Sequence, residues 1–528
     1  MASPSSALTD MEVEVHNWLR SFLRSQSDSF GVSSGEPVWP HHLTMGRLVA
    51  RGLRLGRSAL IQTGSFAESD GRYRLSYLIP LLMSPNPALL LVPESLHRNL
   101  LEVEIPKLQA WGNFGKSVAA GDRFETGFNG LLLVSPLVWL ADRLGGGDRF
   151  PAGIPTIFDG ADDLERWTRE LLTVKLGSGD WESLMQTFPD RSDAIRDVRV
   201  NLTKTAFQHP ANPYDCYLLD ATEQKILQKF YSILRDSSNF PQLPLSWSEF
   251  WDCFDGDNAL TWVELDRAGG KFVLYACPAN VASILHPVWQ QQPIVLIGGA
   301  LDLDAKATIY RQRVGLPDLT CIKFLPDRQN ESIHLYLPDR LPLPNTPQFQ
   351  EALIRELHTL IRVSTLSAPV VRSLTVILVG DTPLKAIVGS VLAAQFGSRV
   401  RVEQTELADN GILVAGWEFW RQYQGQLPPP RLLAIATLPL PSLENPRVAG
   451  QVAYYKQQRQ DWFRLYLLPM ALAQLQRAIA PVRTDRGVVA LLDTRVIHRS
   501  YGSAILEAIA PMVRINYVDA SLFAMGWD

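Results

Sequence analysis

Residues 59–80 read A-L-I-Q-T-G-S-F-A-E-S-D-G-R-Y-R-L-S-Y-L-I-P. The apolar run Ala59–Gln62 has the make-up of a buried strand. The stretch after it holds glycine, serine and acids, and the sequence turns apolar again toward Ser76-Tyr77-Leu78-Ile79-Pro80. That order puts a loop at the carboxyl end of a strand, which is where open α/β sheets bind their ligands.

Working outward, Ala88–Val92, Leu131–Ser135 and Thr156–Phe158 repeat the pattern of a short apolar strand followed by turn residues or helical spacing. A later set comprises Ile294–Ile297, Thr375–Val379, Gly411–Ala415, Leu432–Ala436 and Val488–Leu492. Such alternation is the signature of parallel sheets wrapped by helices, and two α/β lobes are the economical account. Between the sets, Glu165 to about Leu260 is rich in Trp and Asp with helical spacing, as in Thr222–Leu234. It reads as a mostly helical insertion in the first lobe. The Pro-rich stretch Leu341–Pro347 reads as a surface connection before a helix around Glu351–Val363. The expected divisions are an N-terminal helical segment (1–34), the first lobe (35–164), the insertion (165–260), a return to the first lobe (261–304) and the second lobe (305–528).

A chain of 528 residues exceeds one ordinary domain, and its 46% apolar and 20% charged residues suit a soluble globular protein with sizeable cores. No apolar run approaches the roughly 20 residues of a membrane span. The most apolar stretch, Tyr77–Val92, is broken by Pro80, Pro85 and Pro87, and Met1–Asp10 lacks a basic-then-apolar signal pattern. A cytoplasmic protein with no membrane partner is expected. Cys216, Cys253, Cys277 and Cys321 lie far apart without a C-x-x-C pair, which argues against a zinc site or a disulfide framework. The net charge of −4 lacks the basic footprint of a DNA-coating protein. Charge is nevertheless uneven: from Arg431 to Ser500, ten Lys/Arg stand against four acids. A basic surface there suits a phosphate backbone, with Arg459, Arg464, Arg477 and Arg483 as candidate nucleic-acid contacts. A solvated helix face accounts for the same charges equally well.

Read for chemistry, the strand ends resemble the DinG/XPD-like superfamily 2 DNA helicases. Ser76-Tyr77-Leu78-Ile79-Pro80 is similar to the A-Y-L-x-P that ends that family's strand, phosphate loop and helix. Ser135–Asp142 resembles its N-H-x-L-L-x-x-D, and Thr156–Glu165 (T-I-F-D-G-A-D-D-L-E) the strand ending in D-E-A-H. Trp262-Val263-Glu264 is similar to its W-V-E strand, and the I-G-G-A-L ending at Leu301 stands where the family has T-S-A-T-L. Phe419-Trp420 resembles the opening of F-W-E-G-V-D, and 436–446 (A-T-L-P-L-P-S-L-E-N-P) the family's R-L-P-F-P-x-P-x-x-P. Asp485–Asp493 resembles the segment after the arginine motif. These pieces run in order over most of residues 38–510, and the resemblance implies two RecA-like lobes.

The departures fall on the catalytic positions. Family spacing from Pro80 puts Tyr73 where the phosphate-binding lysine should stand and Arg74 at the Mg²⁺-binding Ser/Thr. The loop, opened by Gly64 and Ser65, is about four residues longer than a phosphate loop tolerates. It carries Glu68 and Asp70, no lysine precedes Lys107, and Arg72 supplies positive charge only if the register slips by one. Asp159 keeps the Mg²⁺-holding position, but Gly160 replaces the water-activating Glu and Asp162 the final His. General-base catalysis is worth ~10²–10⁴-fold. Arg421, Gln422 and Gln424 replace the Glu, Gly and Asp of F-W-E-G-V-D. The arginine motif aligns as Ala478 and Pro481, or two residues along as Ala480 and Arg483, and a lost finger costs ~10³–10⁵ in rate. No cysteine lies between Pro93 and Asp159, where the family holds its iron–sulfur cluster, so no cluster is expected.

The implied reading is a helicase-like protein whose ATP hydrolysis is lost or much weakened. Its partner would be single-stranded or duplex DNA, or another protein. The degenerate nucleotide positions are Gly64, Ser65, Arg72, Tyr73, Asp159 and Asp162. The alternatives are an active ATP-dependent DNA helicase, with Asp159 on Mg²⁺ and Arg72 on phosphate, and a non-catalytic scaffold.

Overall fold

Leucine and isoleucine crowd the strand segments because these strands are covered on both faces. In chain order, β1 (Ala59–Gln62), β2 (Ala88–Leu91), β3 (Val118–Ala120), β4 (Leu131–Val134) and β5 (Thr156–Asp159) begin the first sheet. All four residues of β2, β4 and β5 are buried, as a parallel sheet between helical layers requires. The computed structural model describes residues 10–29, 39–66, 71–256, 258–326, 332–366, 374–484 and 487–524. Helix α1 (Asp10–Ser29) packs on α2 (His42–Leu55), burying Val15 and Leu19, and Glu12 is clasped by the Arg54 fork at 2.6 Å. The helices approach closely at Gly46, where an added Cβ would stand 2.5 Å from Leu19 Cδ1. The third helix, α3 (Leu75–Met83), follows the loop after β1.

After β5 the chain leaves the sheet and builds a separate layer. Five helices of this insertion accompany four short antiparallel strands: β6 (Val174–Leu176), β7 (Cys216–Leu218), β8 (Ala259–Asp266) and β9 (Lys271–Pro278). Its tryptophans make its own core: Trp181 and Trp247 are buried with ring centroids 4.8 Å apart, edge to face. The expected helix at Thr222–Leu234 forms as Ala221–Arg235, capped by Asp220, which accepts from Thr222 N and Glu223 N. The β8–β9 hairpin departs from the expected division at residue 261. It pairs with β6 and β7 across the turn at 267–270 rather than returning to the first sheet.

The return comes later, with β10 (Ile294–Gly298) between β1 and β5 and β11 (Thr320–Lys323) on the far side of β1. The order is β11-β1-β10-β5-β2-β4-β3. Ile294–Ile297, which the expected division places in the return to the first lobe, lies inside the first sheet, and that sheet continues beyond residue 304 to Lys323. The second sheet holds β12 (Ile333–Tyr336), β13 (Leu374–Leu378), β14 (Val400–Val402), β15 (Ile412–Ala415), β16 (Pro430–Ile435), β17 (Val488–Leu491) and β18 (Met512–Ile515). It too is parallel throughout, in the order β14-β15-β13-β16-β17-β12-β18. The helix expected around Glu351–Val363 forms as Phe349–Leu366.

Candidate functional site

Strands β1, β10 and β5 are neighbours, so the loops at their carboxyl ends meet at one edge of the first lobe. They are bonded to one another. Thr63 N donates to Gly298 O at 2.9 Å and Gly64 N to Gly299 O at 3.1 Å, while Ser65 N donates to Thr63 Oγ1. A phosphate loop works by aiming such amides at the ligand. Here these three amides bond to the protein itself. Gln62 adds to the closure, accepting from Asp302 N and donating to Asp304 O.

Behind that edge sits a buried triad. Tyr73, from the turn before α3, donates its hydroxyl to Asp159 Oδ1 at 2.7 Å, and Tyr77, one turn into α3, donates to Oδ2 at 2.8 Å. All three side chains are fully buried. Burial pushes the Asp159 carboxyl up to about 6, against the two phenol hydrogen bonds and the Arg74 charge, which pull it down. Burial and the Asp159 charge together raise both phenols well above their usual value. Both oxygens of Asp159 are therefore directed at phenols and none of its surface faces the cleft. Arg74, which family spacing would put at the Mg²⁺-binding hydroxyl, is buried and paired with Glu104 at 2.6 Å. This donor set does not suit a magnesium–nucleotide group, which needs an open carboxylate and a hydroxyl.

Gly160 follows β5 at φ 97°, a left-handed conformation that L side chains rarely adopt. Asp162 points back at the β10 loop, accepting from Gly299 N at 2.7 Å and Ala300 N at 2.8 Å, and burial raises its carboxyl above the usual value. Asp163 points at the second lobe. Burial pushes its carboxyl up, but the Arg477, Arg166 and Arg421 charges overcome this and hold it below the usual range. Arg477 also lies over the Phe66 ring, 5.1 Å from its centroid. The cleft so formed, of about 460 Å³, is lined from the second lobe by Arg421, Gln422, Gln424, Arg477 and Pro481.

The structure thus gathers Gly64, Ser65, Tyr73, Asp159 and Asp162 at one edge, with Arg72 half-buried at the start of the turn before α3. Glu68 and Asp70 lie outside the described residues, as does Asp485. The four arginines proposed as nucleic-acid contacts do not form one surface. Arg483 is buried and donates to the carbonyls of Ile509, Ala510 and Pro511, in the segment that leads into β18. Arg477 is engaged with Asp163 in the cleft, whereas Arg459 and Arg464 are exposed. Sequence reasoning missed Asp163 and the role of Tyr77. The signal for the first was present, since Asp162 and Asp163 are adjacent carboxylates at a strand end. For Tyr77, spacing of four from Tyr73 was the available clue.

With this geometry in place, the comparisons with known proteins are direct. Residues 428–512 match the model of the helicase C-terminal domain. No curated protein sequence matches the chain. Among solved structures, one titled XPD_Helicase is similar at a TM-score of 0.54 with 12% identity, covering 92% of this chain and 100% of its own. One titled XPD_APO scores 0.56 at 13% identity, covering 89% and 100%. The S. tokodaii Xpd4 structure scores 0.56 at 13% identity, covering 90% and 99%. Two parallel seven-stranded sheets in this arrangement give the chain the two-lobed α/β fold of those XPD structures. The match to the helicase C-terminal domain falls in the second lobe.

Proposed function

We propose that this helicase-like protein has lost ATP hydrolysis and works as a binding platform for nucleic acid or a protein partner. The observation that carries the reading is Asp159, whose two oxygens accept from Tyr73 and Tyr77 in a fully buried site. The self-bonded amides at 63–65 and the glycine at 160 support it: among the described residues these amides are turned to the protein, and a glycine has no side chain to take a proton. Among the described residues no helix is long and apolar enough to cross a membrane. A cytoplasmic location fits this reading. Nucleic acid is the favoured partner because the fold is that of a helicase and exposed arginines 459 and 464 stand on the second lobe.

Two measurements test it. Calorimetric titration with Mg·ATP should give no affinity tighter than millimolar. A single-stranded-DNA-stimulated ATPase assay should give no turnover above that of Asp159→Ala. Turnover abolished by that substitution returns the protein to the active helicases. Filter binding to single-stranded DNA at two salt concentrations tests the partner, and absence of binding at low salt leaves the protein-partner form of the proposal.

A further inference from the structure

Asp163 belongs to the first lobe, at the start of the helix Leu164–Leu172. Its carboxylate is nevertheless gripped from the second lobe. Arg477, on the helix Leu468–Thr484, donates from both terminal nitrogens at 3.2 and 2.9 Å, one to each oxygen. Arg421, on the helix Trp417–Tyr423, stands 3.8 Å from Oδ1. Arg166, from Asp163's own helix, reaches the same oxygen at 3.1 Å. A guanidinium fork closed on an anion with a second guanidinium alongside is how arginines recognise phosphate. The Asp163 and Arg477 side chains are only 14% and 13% exposed, so salt screens their attraction weakly. Arg477 is further steadied by the first-lobe ring of Phe66.

We propose that Asp163 is a built-in anion that occupies the arginines of the second lobe as a ligand phosphate would, latching the two lobes closed without nucleotide. The latch goes beyond the loss of hydrolysis and stands apart from it, since it concerns how the lobes are held rather than what they cleave. Other contacts cross between the second lobe and the rest of the chain, such as Gln451 Nε2 to Ala279 O. The latch is a hydrogen-bonded ion pair on the wall of the cleft.

Small-angle X-ray scattering of the full chain without nucleotide tests this. The wild type is expected to scatter as the closed structure, and Mg·ATP should leave its radius of gyration unchanged. Asp163→Asn and Arg477→Met should each shift the chain to a larger radius and maximum dimension, with no further shift when combined. Asp163→Glu, which keeps the charge, should retain the wild-type profile. Superposition of the Asp163→Asn and wild-type profiles overturns the proposal. So does equal opening by Asp163→Asn and Asp163→Glu, which would make the site one of packing rather than charge. If Asp163→Asn does not fold by circular dichroism, Arg477→Met carries the same comparison from the other lobe. ATPase activity is read separately, so the latch can fail while the non-hydrolysing reading survives, and the reverse.

Discussion

Tyr73 and Asp159 share a 2.7 Å hydrogen bond where neither side chain reaches water. The residue that the resemblance would put at the lysine position of a phosphate loop bonds inward to the carboxylate it would put at the metal position. Two groups that a nucleotide would separate are joined in the core, and Tyr77 completes the arrangement on the other oxygen. Removing either phenol leaves a buried carboxylate oxygen without its donor. Tyr73→Phe and Tyr77→Phe should each lower stability by ~1–3 kcal/mol, since a buried acceptor left unsatisfied carries its full desolvation cost. Chemical denaturation at neutral pH measures this, and an unshifted midpoint in both variants would show that the hydrogen bonds are not formed.

The same carboxylate should be visible in the pH dependence of stability. Its folded value of about 6 lies above the ordinary Asp value, so the folded chain binds that proton more tightly than the unfolded chain. The stabilising contribution is then complete below about pH 4 and is lost as pH rises through about 6. Buried His42 opposes it: burial, with the neighbouring His41 charge, lowers its ring to about 4. Its contribution is present above about pH 6.5 and lost as pH falls toward 4. Because the two run in opposite directions, the wild-type profile hides both. Difference measurements separate them. Asp159→Asn should gain on the wild type by up to about 3 kcal/mol between pH 4 and 7, from a shift of roughly two pH units. His42→Asn should gain on the wild type as pH falls over the same range. A constant difference at all pH values for either pair contradicts the assignment.

Much of the fold was legible because burial on both faces leaves an unmistakable trace. Leu131–Val134 and Val488–Leu491 are apolar throughout and form interior strands, paired on both sides, of their sheets. What the pattern could not carry was partnership. The β8–β9 hairpin, expected within the return to the first lobe, pairs instead with β6 and β7, and β11 extends the first sheet past the expected boundary at 304. At the site, the replaced positions Tyr73 and Gly160 were readable as departures from a pattern. What Tyr73 does instead was not, because a phenol–carboxylate bond across 86 residues has no local signature. The arginines show the same limit: charge counted along the chain marked Arg483 and Arg464 alike, although one is buried and the other is 78% exposed.

Gly160 makes a prediction about reversal. Its φ of 97° means that restoring a glutamate forces an L side chain into left-handed backbone, at a cost of ~1–3 kcal/mol. Gly160→Glu should therefore destabilise the chain by about as much as Gly160→Ala. Combined with Tyr73→Lys it should still give no DNA-stimulated ATPase, because the amides at 63–65 remain bonded to the protein. Measurable turnover in the double variant would show that only two side chains separate this chain from a working motor.

The two classes of arginine should respond oppositely to substitution. Arg483 holds the carbonyls of Ile509, Ala510 and Pro511 from inside the second lobe, so Arg483→Met takes a buried donor from all three and leaves Pro511 O with the Ile333 amide. Its stability should fall by roughly 1–3 kcal/mol, while the salt dependence of DNA affinity in the folded protein stays as it was. Arg464 is exposed, and its nearest recorded acid, Asp461, lies 3.7 Å away, a surface pair that contributes little. Arg464→Ala should leave the denaturation midpoint in place. If Arg464 contacts phosphate, the slope of log affinity against log salt should fall by about one. Thermal melts and binding isotherms on both variants decide the matter. An unchanged slope for Arg464→Ala removes it from the interface, and an unchanged melt for Arg483→Met removes it from the core.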